Sequence, residues 1–129
     1  MKKLFITLLV YLLINSYHLN SQNIYSVDKW MEYIEEMASE TDDEARIENL
    51  YSDLSYLAEH PFELNSVTKE ELSRLPFLSD QQIEQIIFYR NKYGKLVTLY
   101  ELKNVEGLDF QTISLLLSFV YIADISVDK

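Results

Sequence analysis

The chain has 129 residues, 48 % hydrophobic and 25 % charged, which suits one modest globular domain with extra segments. It contains no cysteine, which excludes disulfides, thiolate metal sites, a thiol nucleophile and acylation of a lipoprotein cysteine. Lys and Arg number 11 against 21 Asp and Glu, a net charge of −10, and so acidic a surface repels nucleic acid and anionic lipid in general.

Met1-Lys2-Lys3 supplies positive charge, Leu4 to Ile14 is an 11-residue run without charge, and Asn15 to Ser21 is polar and ends in a small residue. This is the three-part pattern of a secretory signal peptide, and the run falls short of the roughly 20 residues a membrane span needs. The expectation is export through the secretory pathway to the periplasm or cell envelope. Cleavage is expected after Ser21, with the bulky Leu19 three residues before the cut; an uncleaved anchor is the competing reading. The mature chain would hold 9 bases against 21 acids, a net charge of −12.

Residues 22–61 read as an acidic helical hairpin. They carry 11 acids and 2 bases. Trp30, Tyr33, Ile34 and Met37 fall at the spacing of one helical face. Thr41-Asp42-Asp43-Glu44 has the form of a capping box with acids in the first turn. Ile47, Leu50, Tyr51, Leu54 and Leu57 continue a second stripe, which His60-Pro61 ends because a residue before proline is pushed out of the α region.

Residues 62–122 carry one pattern twice, 30 residues apart. The first copy has Thr68, Glu71, Leu72, Leu75, Leu78, Ser79, Ile83, Ile86 and Ile87; the second has Thr98, Glu101, Leu102, Val105, Leu108, Asp109, Ile113, Leu116 and Leu117. A repeat in register implies one supersecondary unit used twice, each copy leaning on the other for its core. The expected helices are Thr68 to Leu75, then Ser79 to about Tyr93 with Gly94 as the left-handed stop, Thr98 to Val105, and Asp109 to Val120. Pro76-Phe77-Leu78 is a tight turn. Residues 123–129 form a tail, and Tyr121 onward is expected to be extended. With only two Gly and two Pro in the chain, helices should dominate.

The stretch Leu72 to Ile86, its lead-in Glu63 to Leu72, and the Tyr89-Arg90 to Gly94 exit resemble the helix-hairpin-helix family. Over about 60 residues they are similar to the tandem domain of exported, competence-type (ComEA-like) DNA receptors. The resemblance implies a tandem helix-hairpin-helix unit with pseudo-two-fold symmetry; with the acidic helical hairpin before it, which lies outside the resemblance, the expected fold is all-α. It implies sequence-independent binding of double-stranded DNA through the backbone, which the substituted hairpins and the few bases near them are expected to make weak. In that family each hairpin reads glycine, apolar, glycine. Glycines let the chain turn with positive φ close to a phosphate, and the next helix offers free N–H groups and its positive dipole end. This sequence places Phe77 and Ser79 at the glycine positions of the first hairpin. It keeps Gly107 in the second and puts Asp109 at the other position, beside Glu106.

The DNA-backbone candidates are Leu78, Ser79, Gln81, Gly107 and Leu108 at the hairpins, with Arg90, Lys92 and Lys95 one helix away. Each base also has a structural reading, since cations near a helix C-terminus offset its dipole. Tyr89, Tyr93 and Tyr100 resemble a stacking set, or else wall a groove. Glu40 to Glu44 lacks the residue order of a calcium loop. His60 is the only histidine after Ser21, and no catalytic triad, two-histidine metal site or phosphate loop is present. The expectation is therefore no enzyme activity, no cofactor, no metal and no small-molecule substrate. Either the hairpins still hold DNA, or the chain is an envelope protein–protein scaffold whose hairpins have lost that role.

Overall fold

The computed structural model describes residues 2–18 and 21–123, with side-chain exposure for residues 2–11 and 29–123. The fold is all-α apart from one pair of two-residue strands. α1 (Lys2–His18) exposes its apolar side chains, Leu4, Phe5, Ile6, Leu8 and Leu9 among them. Among the described residues, no helix is both long and apolar enough to cross a membrane. Residues 19 and 20, beside the expected cleavage site, and the tail residues 124–129 lie outside the described residues.

α2 (Ser21–Glu40) and α3 (Glu44–Glu59) are the two helices expected in the acidic segment. The cap of α3 is Asp43 rather than Thr41: the Asp43 carboxylate accepts from the Arg46 N–H at 3.1 Å, and the Thr41 hydroxyl accepts from the Asp43 N–H. Trp30, Ile34, Leu54 and Leu57 turn inward and join one core with the repeat residues Leu72, Leu75, Ile83, Ile86, Leu102, Val105 and Leu116. Ile113 packs on this core half-buried. A run of aromatic contacts crosses the boundary, from Tyr51 to Trp30 to Phe119 to Phe77 to Tyr33, with centroids 5.7 to 6.4 Å apart. Such pairs add about 0.5–1.5 kcal/mol each beyond burial. The acidic pair and the repeat unit therefore share a core.

The first helix of each copy is shorter than expected. α4 (Lys69–Leu72) is one turn, and its counterpart is a 3₁₀ helix, Leu99–Asn104. Pro76 bars Leu75 from the α region, and pieces this short adopt 3₁₀ geometry readily. Both openings keep the glutamate half of the box, with Glu71 accepting from the Thr68 N–H at 2.8 Å and Glu101 from the Thr98 N–H at 3.1 Å, and the Thr68 hydroxyl also accepts from the Glu71 N–H at 3.1 Å. α5 (Asp80–Tyr93) runs as expected from Ser79 to Gly94, whose φ is 84°.

α6 (Phe110–Leu116) stops four residues short of the expected Val120. The reason is a strand pair the sequence did not announce. β1 (Phe62–Glu63) pairs in parallel with β2 (Val120–Tyr121). The Phe62 N–H donates to the Phe119 carbonyl at 2.7 Å and the Leu64 N–H to the Tyr121 carbonyl at 2.9 Å. Phe119 and Val120 are buried, so the extended exit closes the domain on its own lead-in.

The two copies are also tied by Asn65. Its side-chain amide donates to the Leu96 carbonyl at 2.9 Å, and its oxygen accepts from the Leu96 N–H at 2.7 Å. Both backbone groups of a buried linker residue are thus satisfied from the other copy, as a buried peptide requires.

Candidate nucleic-acid interface

Each copy has a four-residue turn between its helices, closed by the same hydrogen bond. The Leu78 N–H donates to the Leu75 carbonyl at 3.2 Å, and the Leu108 N–H to the Val105 carbonyl at 3.3 Å. Leu78 and Leu108 point into the core, so these turns offer backbone to a partner. Their backbones differ at the third residue. Gly107 has φ of 83°, the requirement of a type II turn, whereas no residue of the Pro76-Phe77 turn has positive φ. The first turn is of the type I kind, and its central peptide is flipped relative to the second. This is how a phenylalanine sits where the second copy needs glycine.

A capped helix follows each turn. The Ser79 hydroxyl accepts from the Gln82 N–H at 3.1 Å, and the Gln82 side-chain oxygen accepts from the Ser79 N–H at 3.0 Å. The Gln82 side-chain nitrogen then donates to the Gly107 carbonyl at 3.1 Å. One glutamine thus caps α5 and bridges to the other turn. A groove lined by Ser79, Gln81, Gln82, Gln85, Glu106 and Gly107 runs between them. At the start of α5 the Asp80 and Gln81 N–H groups lie ahead of the intrahelical ladder, the position from which a helix receives an anion.

Charge at this surface is negative. Asp80, Glu106 and Asp109 stand at or beside the turns, all exposed. The Asp109 carboxylate accepts from the Thr112 N–H at 2.7 Å, and this backbone bond, helped by the Thr112 hydroxyl, holds its carboxyl below the ordinary value. It is therefore ionised at neutral pH and fills the start of α6 with the protein's own anion.

The bases lie elsewhere. Ser79 and Arg90 are 11 residues apart along one helix, about 16 Å at the usual rise. The half-buried Arg90 guanidinium donates to the Leu64 carbonyl at 3.1 Å and the Val67 carbonyl at 2.8 Å. It locks α5 onto the loop after β1. The Lys92 ammonium lies 5.6 Å from the Phe88 ring centroid and 5.2 Å from that of Tyr93, and Lys95 is exposed beyond the helix end. The structure therefore brings Ser79, Gln81 and Gly107 to one groove, buries the side chains of Leu78 and Leu108 beneath the turns, and sets Arg90, Lys92 and Lys95 apart. Gln82 and Gln85 join the surface unanticipated as contacts; their i, i+3 spacing after the Ser79 cap was the signal available. Among the described residues, no group of His, Asp and Glu is arranged to hold a metal ion.

Two turn-linked helix pairs packed side by side, with backbone turned outward, define a tandem helix-hairpin-helix module. Residues 58–121 match the helix-hairpin-helix motif family, so the chain carries that motif. No curated protein and no solved structure matches the chain significantly.

Proposed function

We propose that this chain is an exported, non-catalytic binding module that holds the backbone of double-stranded DNA weakly and without reading its sequence. The observation that carries the reading is the Gln82–Gly107 hydrogen bond, which makes one backbone surface of the two turns. The family motif supports nucleic acid as the partner. Backbone contacts to phosphate carry position and no sequence information. The exposed apolar side chains of α1, set behind Lys2 and Lys3, support its role as a signal peptide, cleaved at or near Gln22. An intact mass of periplasmic protein retaining residues 1–21 would refute cleavage.

The test of binding is a mobility shift with blunt duplex DNA at low and moderate salt. The expected slope of log affinity against log salt is on the order of −1 to −3, since each neutralised phosphate contributes about −0.9 and few bases adjoin the turns. Asp109→Gly should strengthen binding by removing a carboxylate from the start of α6. A second reading, an envelope protein–protein scaffold, is favoured by the three carboxylates at Asp80, Glu106 and Asp109. Absence of a shift at low salt, in both the unmodified chain and Asp109→Gly, would refute duplex binding at the turns and leave the scaffold reading to be tested.

A further inference from the structure

The C-terminal end of α5 carries an aromatic face that neither the core nor the hairpin turns use. Phe88 is 56 % exposed and Tyr93 is 63 % exposed. The Tyr89 ring lies against Tyr93 with centroids 4.8 Å apart. The Lys92 ammonium sits near both exposed rings, within 6 Å of each centroid. Single exposed hydrophobic residues need no explanation, but rings gathered under one cation are a patch with a cost in water. Along the sequence the charge here runs against the rest of the chain, and Glu84, one turn before Phe88, is paired with Lys69. Residues 88–103 hold four bases, Arg90, Lys92, Lys95 and Lys103, against the single acid Glu101, in a chain of net charge −10.

We infer that the Phe88–Tyr93 face is a second nucleic-acid site, which takes the unpaired bases of a single strand. An exposed ring with a flexible cation over it fits a nucleotide at both ends: the base stacks on the ring as the Lys92 ammonium swings aside to meet the phosphate. Such stacking is sequence-tolerant, because every base has a π-face. A duplex cannot use the patch, since its bases are already stacked inside. Arg90 is committed to the Leu64 and Val67 carbonyls, so Lys92 and the exposed Lys95 supply the charge. The inference deepens the duplex reading above, on which the join between the two sites rests. The patch stands about 16 Å along α5 from the Ser79 turn, a span of a few nucleotides. A duplex at the turns could therefore extend a single-stranded overhang onto the rings.

The test is fluorescence anisotropy at low salt with three labelled probes: a thymidine oligonucleotide about 12 long, within the usual range of single-strand site sizes, a blunt duplex, and that duplex with a thymidine overhang. The expected order is tighter binding of the overhang duplex than of the blunt one. Phe88→Ala and Tyr93→Ala should each weaken the oligonucleotide about 5- to 150-fold, the usual worth of one base–aromatic stack, and leave the blunt duplex unchanged. Tyr93→Phe keeps the ring and should keep the affinity. Lys92→Gln should make the salt slope shallower by about one. Both alanine variants alter exposed rings, and an unchanged melting curve confirms that each is folded. Oligonucleotide affinity that is absent, or unchanged in both alanine variants, would overturn the inference. So would a glutamate-rich peptide of matched charge that competes as well as the oligonucleotide, because the patch would then serve acidic protein. Oligonucleotide binding that depends on the rings, with no blunt-duplex binding, supports the patch and sinks only the hairpin reading.

Discussion

Arg90 is a base at the end of a family-typical helix, yet its geometry assigns it to the fold. One terminal nitrogen of the guanidinium donates to the Leu64 carbonyl at 3.1 Å and the Val67 carbonyl at 2.8 Å. Both acceptors lie in the loop between β1 and α4. Arg90→Ala removes an ionised donor and leaves part-buried carbonyls short of a partner. Hydrogen bonds to charged groups are worth about 1.5–3 kcal/mol, and for a half-buried residue the lower part of that range applies, about 2 kcal/mol. For a domain of this size that corresponds to a fall in melting temperature of about 8–16 °C. Arg90→Lys should recover only part of the loss, because the shorter lysine carries its ammonium less far than the guanidinium nitrogen that reaches both carbonyls. Thermal unfolding followed by circular dichroism, with urea unfolding beside it, measures both. An Arg90→Ala chain that melts with the unmodified one while losing affinity for DNA would refute the assignment and return Arg90 to the ligand.

Other expectations follow from the core, the caps and the charge. Ile86 is buried at the centre of the repeat, so Ile86→Ala should cost about 2–5 kcal/mol in urea unfolding; a cost under 1 kcal/mol would contradict its place in the core. Gln82→Ala loses half of a capping box and the bridge to Gly107. It should cost about 1 kcal/mol and speed hydrogen exchange at the Ser79 amide, and unchanged exchange there would disprove the cap. Asp109 should titrate below an ordinary aspartate in a carboxyl NMR titration. Because its folded value is depressed, the stabilisation it contributes is present above the unfolded value of about 4 and is lost as pH falls through the folded one. A midpoint at or above the ordinary value would rule out the Thr112 bond as its cause.

The sequence disclosed most where physics marks both ends of an element. α5 was legible because Ser79 and Gln82 open it and Gly94 closes it, and the observed helix keeps those limits. The core was legible because Leu72, Leu75, Ile86, Leu102 and Leu116 recur in register and all are buried. What stayed hidden depends on partners far along the chain. Phe119, Val120 and Tyr121 read as helix and then tail, but they lie beside Phe62 and Glu63, and a two-residue parallel pairing has no periodicity to read. Asn65 lies in the lead-in to the first copy with nothing local to mark its role, yet it clamps Leu96, 31 residues on. In both places tertiary hydrogen bonding overrode the local pattern.

The hairpins show why equal register need not mean equal chemistry. Phe77 and Gly107 occupy the same position of the repeat, but only Gly107 has positive φ. The phenylalanine side chain enters the row of rings, 6.0 Å from Tyr33 and 5.7 Å from Phe119, and so fastens α2 to the first turn. The residue that gives the first turn its type I form is thus also an anchor for the acidic helix pair, and the two features cannot be separated. Asp109 differs. It is exposed and caps only the first turn of α6, so the charge it sets at the second hairpin is independent of the shared core. Of the residues Phe77 and Asp109, the first is built into the architecture and the second is an electrostatic feature of the surface. If the proposed binding of phosphate holds, the second hairpin is therefore where exchange of Asp109, with Glu106 beside it, should change affinity without disturbing the shared core.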